Sequence, residues 1–262
     1  MGLKDSFRDV DDRTEDLRDL ASQHPDIWGD FCTRFDLSWL YHENALEGVV
    51  LSHAELTSAL QGRPLAPDTY GAIRNLRFAI DSIRREADEI RPVDMELVRK
   101  THSLLIHGRD VPSTDFPNAA FRKDIPLHRA YFHEIAVPDA IQPRFEALMA
   151  WAAENDPDDD DAVRFAAHFH HELMRIFPFT EHTGKTGRLL VNYLLLRHGY
   201  MPVIFPATER QRYYDTLRLG KKEMEALLSD MMTNCVDNGV RYIRNVLEAR
   251  KKKSGGRRLS AV

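Results

Sequence analysis

The stretch from Ile176 to Arg188 constrains the fold of this 262-residue chain more than any other part of the sequence. It is polar and contains Pro178 and two glycines, whereas the sequence on either side has a helical pattern. Upstream, apolar residues recur at the three- and four-residue spacing of one buried helix face: Ala162, Phe165, Ala166, Phe169, Leu173 and Ile176. Downstream, Leu189 to Leu196 is apolar on nearly every side. The sequence therefore predicts a helix, a tight loop and a second helix enclosed by others.

A polar, glycine-containing loop that leads into a buried helix can bind an anion. The first backbone N–H groups of a helix have no partner within it, and the helix dipole places partial positive charge there. Two full positive charges, on Lys185 and Arg188, fall within the first turn. We therefore expect phosphate to bind at this turn, through Thr183, Gly184, Lys185, Thr186, Gly187 and Arg188.

Composition excludes several classes of protein. The formal net charge of −5 argues against a general nucleic-acid binder. No apolar run approaches membrane-spanning length, and the N-terminal residues do not form a signal peptide. The two cysteines, Cys32 and Cys235, form no metal-binding pattern and are typical of reduced thiols. We expect a cytoplasmic protein with neither a membrane nor a specific nucleic acid as partner.

The loop resembles the motif of the Fic/Doc (Fido) family, whose known members mostly transfer AMP from ATP to a protein hydroxyl. That motif reads His-Pro-Phe-x-Asp/Glu-Gly-Asn-Gly/Lys-Arg-x-x-Arg. The matching residues are Pro178, Phe179, Glu181, Gly184 and Arg188, with Lys185 in place of the first arginine. Three positions depart from it: Phe177 replaces the catalytic His, His182 replaces a Gly, and Thr183 replaces the Asn. The resemblance extends over about residues 36–242, with Glu47-Gly48, the segment around Asn75, Phe121-Arg122 and Leu189 to Tyr200 in the family order.

The resemblance implies an all-α fold, a Fic-type helical bundle with a small β-hairpin flap. We expect an N-terminal helical extension over residues 1–35, a Fic-like domain over 36–247 and a basic disordered tail over 248–262. The flap is expected at about 121–137, where the alternation from Leu127 to Ile135 also favours a hairpin over a helix. In the family the flap docks the target backbone by strand addition, which implies a protein or small-molecule acceptor there. A plain surface loop is the alternative.

Residues 41–52 resemble the inhibitory segment that some family members carry before the domain. The resemblance implies that Glu47, followed by Gly48, lies against Arg188 and blocks the terminal phosphate of ATP; Glu43 stands at the Ser/Thr position of that segment. The alternative is a solvated Glu47 before a glycine that ends the helix. Ser52 and Glu55 then predict a capping box at the start of a short helix. A heavy, largely aromatic apolar stripe precedes the segment as core or as a homodimer contact: Trp28, Phe31, Phe35, Trp39 and Leu40.

The resemblance further implies a bound nucleotide, ATP or another, with Mg²⁺ coordinated by Glu181. It places Tyr213 and Tyr214 beside the adenine pocket, although they also fit simple core aromatics. Phe177 has no titratable group, so the usual base is missing. Loss of a general base commonly costs about two to four orders of magnitude in rate.

Three functions remain open from the sequence. In the first, the protein transfers AMP or another phosphate-containing moiety, with His182 as the base or with an acceptor that is already anionic. In the second, it binds nucleotide but is catalytically silent and acts through a partner at the flap. In the third, it is a scaffold or dimer module. The presence of Glu47, Glu181, Lys185 and Arg188 together argues against the third, and the new polar groups His182 and Thr183 favour a nucleotidyl- or phosphoryl-type transferase.

Overall fold

The computed structural model describes residues 3–63, 65–108, 120–126, 133–157 and 161–259. Within these ranges every regular element is helical. The helices are α1 (Leu3–Gln23), α2 (Pro25–Leu46), α3 (His53–Leu60), α4 (Pro67–Asp88), α5 (Met95–His107), α6 (Pro138–Glu154), α7 (Ala162–Ile176), α8 (Thr183–Arg197), α9 (Arg210–Leu219) and α10 (Lys221–Leu259), with a 3₁₀ turn at Ala207–Glu209. Among the described helices, none has the length and apolarity that crossing a bilayer requires.

The all-α class is confirmed, but the predicted hairpin flap is not seen. Residues 120–126 and 133–137 are irregular, and residues 127–132 of the predicted hairpin lie outside the described part of the chain. Backbone N–H groups on both sides of the gap bond to the end of α7 and the loop after it. Arg122 donates to the Pro178 carbonyl at 2.9 Å, and Ala136 donates to the Arg175 carbonyl at 2.9 Å. These two N–H groups are therefore not available for the hydrogen bonds of a β-hairpin.

Helix α8 lies at the centre of the bundle, as the apolar run predicts. All of its residues from Thr183 to Leu195 are buried, and it packs against α4, α5 and α7. Asn192, which interrupts the apolar run, is also fully buried. Its amide donates to the Val203 carbonyl at 3.0 Å and accepts from the Val203 N–H at 2.7 Å. A single polar side chain thus satisfies both backbone groups of an extended segment beside α8.

Helices run across both positions where the sequence predicts a domain boundary, residues 35 and 248. Helix α2 runs without a break through residue 35, where the sequence predicts the end of an extension. The aromatic stripe on it is core, because Phe31 and Trp39 are buried and Trp28 and Phe35 pack against the core clusters. Helix α10 continues to Leu259, so the tail predicted to be disordered from residue 248 is helical over its described part. Lysine and arginine are good helix formers, which lets the last helix extend through this basic stretch.

Arg122 holds the end of α7 in place. Its buried guanidinium donates to the carbonyls of Phe177 (2.7 Å), Asp124 (2.8 Å) and Ile176 (3.4 Å), and also to that of Ala136. The last carbonyls of a helix have no partner within it, and a cation near them also complements the helix dipole. Arg122 therefore fixes the point at which the chain leaves α7 and enters the loop.

We predict that Arg122→Met lowers the free energy of unfolding by roughly 2–4 kcal/mol, because several buried carbonyls lose their donor. Arg175→Met is the matched control on the same helix end, since Arg175 pairs with exposed Glu134 at 3.6 Å. A surface pair of this kind contributes less than about 1 kcal/mol. Chemical denaturation measures both variants, and equal losses would contradict the role given to Arg122.

Candidate functional site

The loop between α7 and α8 begins at Phe177, which stands at the family's catalytic position. Its backbone is left-handed (φ 48°, ψ 64°) and its N–H donates to the Leu173 carbonyl at 2.9 Å, which ends the helix. The side chain is 2% exposed and belongs to the main hydrophobic core. A residue other than glycine is strained at positive φ and keeps this conformation only where its surroundings enforce it. Burial of the ring and the bond from Arg122 to the Phe177 carbonyl supply that constraint.

His182 ends the loop and is the first candidate for a replacement base. It occupies the N-cap position of α8 with a left-handed backbone (φ 58°, ψ 11°), and its carbonyl accepts from the Thr186 N–H at 2.8 Å. Burial, together with the charge of Lys185, lowers the pKa of the imidazole below its usual value. The ring is therefore neutral near pH 7, which is the form that can accept a proton. Glu181 beside it is exposed to solvent.

Lys185 and Arg188, in the first two turns of α8, face the end of α2. Arg188 is completely buried, and its Nε donates to Glu43 Oε2 at 2.8 Å. Its Nη2 lies 2.8 Å from the same Glu43 oxygen and 3.1 Å from Glu47 Oε1. Lys185 Nζ donates to Asn44 Oδ1 at 2.9 Å. The residues predicted to bind phosphate are thus already held by polar side chains of one neighbouring helix.

The Glu47 carboxylate lies against the N-terminal end of α8. A Cβ atom added to Gly184 would stand 2.7 Å from Glu47 Oε1 and 3.0 Å from Arg188 Nη1. The carboxylate oxygen is therefore packed against the first turn of α8, at the positive end of the helix dipole. A side chain at position 184 would displace it. Glu47 thus contacts Arg188, as the resemblance implies, and the inhibitory role of this contact stays a prediction.

Sequence reasoning missed the larger part of this contact, which Glu43 and Asn44 make. Glu43 is 1% exposed and contacts Arg188 through two nitrogens, whereas Glu47 is at the very end of the helix. The signal was present, since Glu43 and Glu47 are four residues apart and so lie on one helix face. The four-residue spacing of Glu43 and Glu47 does not show which part of the protein that face contacts.

The charges of the site balance one another. Burial raises the pKa of Glu43, against the attraction of Arg188, and burial lowers the pKa of Lys185. Burial also disfavours the charge on Arg188, but the attraction of Glu43, Tyr213 and Glu47 together outweighs it, and the pKa of Arg188 is raised well above its usual value. Two cations face two carboxylates, so the closed site carries no net charge from these four groups.

Tyr213 and Tyr214, predicted to border an adenine pocket, are both buried. The Tyr213 hydroxyl lies 2.9 Å from His170 Nε2, and the Arg188 guanidinium lies 5.7 Å from the centre of the Tyr213 ring. Burial lowers the pKa of His170 to about 3, so its ring is neutral. These two tyrosines serve the core in this structure, and Tyr213 also covers one side of the buried cation.

The remaining predicted residues divide between the loop and the helix packing. The Thr183 hydroxyl bonds both the N–H of Phe179 (3.0 Å) and its carbonyl (2.9 Å), which closes the loop. Gly187 allows α7 to approach, because an added Cβ would lie 3.0 Å from His170 Nδ1. No group of three or more His, Cys, Asp or Glu side chains suited to a metal ion is found within the described ranges.

Comparison with known proteins finds sequence similarity to the Fic/DOC family in the part of the chain that contains the loop. The sequence profile of the Fic/DOC family matches residues 92–195. The protein adenylyltransferase Fic of Nematostella vectensis is 27% identical over 183 residues, which cover 68% of this chain and 42% of that protein. The protein adenylyltransferase fic-1 of Caenorhabditis elegans is 27% identical over 190 residues, covering 69% and 36%. The chain thus matches only about two fifths of the length of these curated relatives.

Solved structures share the fold over most of the chain. A Fic domain containing signaling protein from Bacteroides thetaiotaomicron superposes with a TM-score of 0.73 at 18% identity, over 92% of this chain and 97% of that chain. Fic-1 of Caenorhabditis elegans superposes with the same TM-score at 18% identity, over 91% and 71%. At such identity the likeness concerns the fold alone. Together with the profile match, it supports a Fic/DOC family domain at residues 92–195, within a chain whose fold is similar to that of solved Fic proteins.

Proposed function

We propose that this protein is a nucleotide-binding Fic-type transferase that moves AMP, or another phosphate-containing moiety, without a histidine at position 177. The observation that carries the proposal is the Glu47 carboxylate on the first turn of α8, 3.1 Å from Arg188. A carboxylate held at a helix N-terminus beside a buried arginine is a substitute for a phosphate oxygen. The relatives from Nematostella vectensis and Caenorhabditis elegans are protein adenylyltransferases, which supports the same reaction class.

The base in this proposal is His182, unless the acceptor is already an anion. The imidazole is in the loop that precedes α8, and its lowered pKa keeps it neutral. It stands next to Thr183 and Gly184, whose backbone begins the phosphate-binding turn. An anionic acceptor, such as a phosphate or a carboxylate, would need no base.

Mg²⁺ fits the site only together with a nucleotide. This ion is usually bound by one or two carboxylates plus phosphate oxygens and water. Glu181 supplies one exposed carboxylate beside the anion-binding turn, and the phosphates of a nucleotide would supply further oxygens. When bound, the ion would neutralise charge on the phosphates.

The second candidate is a catalytically silent relative that binds nucleotide and acts through a partner at the flap. The burial of Phe177 in the core favours it, because the family's catalytic position here contributes packing and no acid–base chemistry. A scaffold that binds no nucleotide is less consistent with the site, since burying two cations and two carboxylates together is costly and adds little stability. Neither a cytoplasmic location nor a homodimer follows from this geometry, and both stay predictions.

We predict that Glu47→Gly tightens nucleotide binding by about tenfold or more, because the variant removes one charge-assisted contact that competes with phosphate. Glu89→Gly is the matched control, since Glu89 is exposed and also lies at the C-cap of a helix, α4. Calorimetric titration with ATP and with GTP measures the change. Equal affinities for the parent, the Glu47 variant and the control would contradict the inhibitory contact.

If His182 is the base, activity in the Glu47→Gly background rises with pH through the pKa of that imidazole. Since burial lowers this pKa, the midpoint falls below the usual value of about 6.5. His182→Asn should abolish the rise and most of the transfer, while asparagine tolerates the left-handed backbone there. Intact-mass measurement of self-modification across pH reports both. Undiminished, pH-independent transfer by the asparagine variant would contradict the role and favour an anionic acceptor.

Phe177→His in the Glu47→Gly background should produce or increase self-AMPylation, since it returns a base to the family's catalytic position. Phe177→Asn in the same background is the control, because asparagine also tolerates positive φ but is not a base. Intact mass should show added AMP on the histidine variant only. Nucleotide binding by both variants without any added AMP would show that the site lacks more than its base.

A further inference from the structure

Glu43 and Glu47 differ in how firmly they are held against Arg188. Glu43 is 1% exposed, is enclosed within α2 and contacts both Nε and Nη2 of the arginine at 2.8 Å. Glu47 is the C-cap residue of α2, its side chain is 17% exposed, and Gly48 after it has a positive φ of 89°. The last residue of a helix can move by a local change of backbone, whereas Glu43 can leave only if α2 separates from α8. Glu43 therefore stays on Arg188 when a ligand replaces Glu47.

This permanent pairing sets the charge that a ligand meets. Once Glu47 withdraws, Lys185 and Arg188 remain against Glu43, and the three groups together carry one net positive charge. Two donors of Arg188 remain occupied by Glu43. Its Nη1 is buried and finds no hydrogen-bond partner among the described residues, and it lies 3.0 Å from the Cβ position of Gly184, beside the first turn of α8. The open site thus offers directed donors but little net charge.

Phosphate groups differ in the charge that they bring. A phosphate with a single ester or anhydride bond carries a charge of about −1.5 to −2 near pH 7, because its second pKa is about 6. The terminal phosphate of a nucleoside triphosphate is of this kind. In a nucleoside diphosphate ester, such as a nucleotide sugar, each phosphate carries one negative charge. A doubly charged terminal phosphate beside Arg188 would be repelled by the buried Glu43 carboxylate. The single negative charge of an ester phosphate is instead balanced by the single net positive charge of the site.

We infer that Glu43 adapts this site to a nucleoside diphosphate ester in preference to a nucleoside triphosphate. The inference rests on the proposed nucleotide site and names the class of donor that it takes. Glu43 is the residue that determines this preference, and Glu47 determines only whether the site is open.

The test compares ligands that share a base and differ at the last phosphate. ATP is compared with ADP-ribose, and UTP with UDP-glucose, each with and without Mg²⁺, by calorimetric titration. In the Glu47→Gly variant, the diphosphate ester of each pair should bind at least as tightly as the triphosphate. Adding Glu43→Gln should tighten triphosphate binding by about tenfold or more and change ester binding by less than about threefold, since one charge-assisted contact is at stake. A triphosphate preference in Glu47→Gly that Glu43→Gln leaves unchanged would overturn the inference.

Single variants provide a control in case the double variant does not fold. Glu43→Gln with Glu47 present has the same formal charge as Glu47→Gly and keeps one carboxylate on Arg188, so it serves if the double variant does not fold. It should shift the triphosphate-to-ester ratio in the same direction relative to the parent. Glu86→Gln is the matched control, a buried glutamate paired with Lys100 and Arg91, and it should leave the ratio unchanged. If no nucleotide of either kind binds to Glu47→Gly, the proposed function fails as well; binding without any effect of Glu43 overturns the inference alone.

Discussion

The ion pairs of Arg188 connect the chemistry of this protein to its fold. A guanidinium with no exposed surface is tolerable only if carboxylates accompany it into the core, and both come from α2. Helix α2 lies outside the range that the family profile matches, yet it completes the site inside that range. The end of α2, where Glu47 lies, therefore covers the N-terminal end of α8.

The loop before α8 is held from two sides by different means. Arg122 binds the carbonyls at the end of α7, and the Thr183 hydroxyl bonds both backbone groups of Phe179. Together they allow a bulky residue, Phe177, to keep a left-handed backbone with its ring in the core. A loop fixed in this way holds the proposed phosphate-binding turn in place even though Phe177 supplies no base. This separation of binding from acid–base chemistry is consistent with a transferase of altered mechanism and with a silent nucleotide binder.

Local patterns predicted the local structure well. The apolar run of α8 specified an enclosed helix, and the capping box of Ser52 and Glu55 is present at the start of α3. Both depend on neighbours within one or two turns. The position of Glu47 on Arg188 was also predicted, but through the family resemblance and not through any periodicity. Glu43 was missed because its spacing from Glu47 defines a helix face without saying what that face contacts.

The structure departs from the predicted local structure in two places, for two different reasons. Alternating residues favoured a hairpin after Phe121, but N–H groups on both sides of that segment are bonded to the end of α7 and its loop. Composition favoured a disordered tail, whereas α10 extends to Leu259. Contacts with a distant part of the chain determine the first outcome, and the helix propensity of lysine and arginine favours the second.

A crystal structure of the Glu47→Gly variant with a bound nucleotide tests the central claim most directly. The account predicts a phosphate oxygen within hydrogen-bond distance of Arg188 Nη2 and the first-turn N–H groups of α8, where Glu47 Oε1 now lies, with Glu43 still bonded to Nε. A nucleotide bound elsewhere, or a first turn of α8 that holds no phosphate while Arg188 remains paired with Glu43, would contradict it.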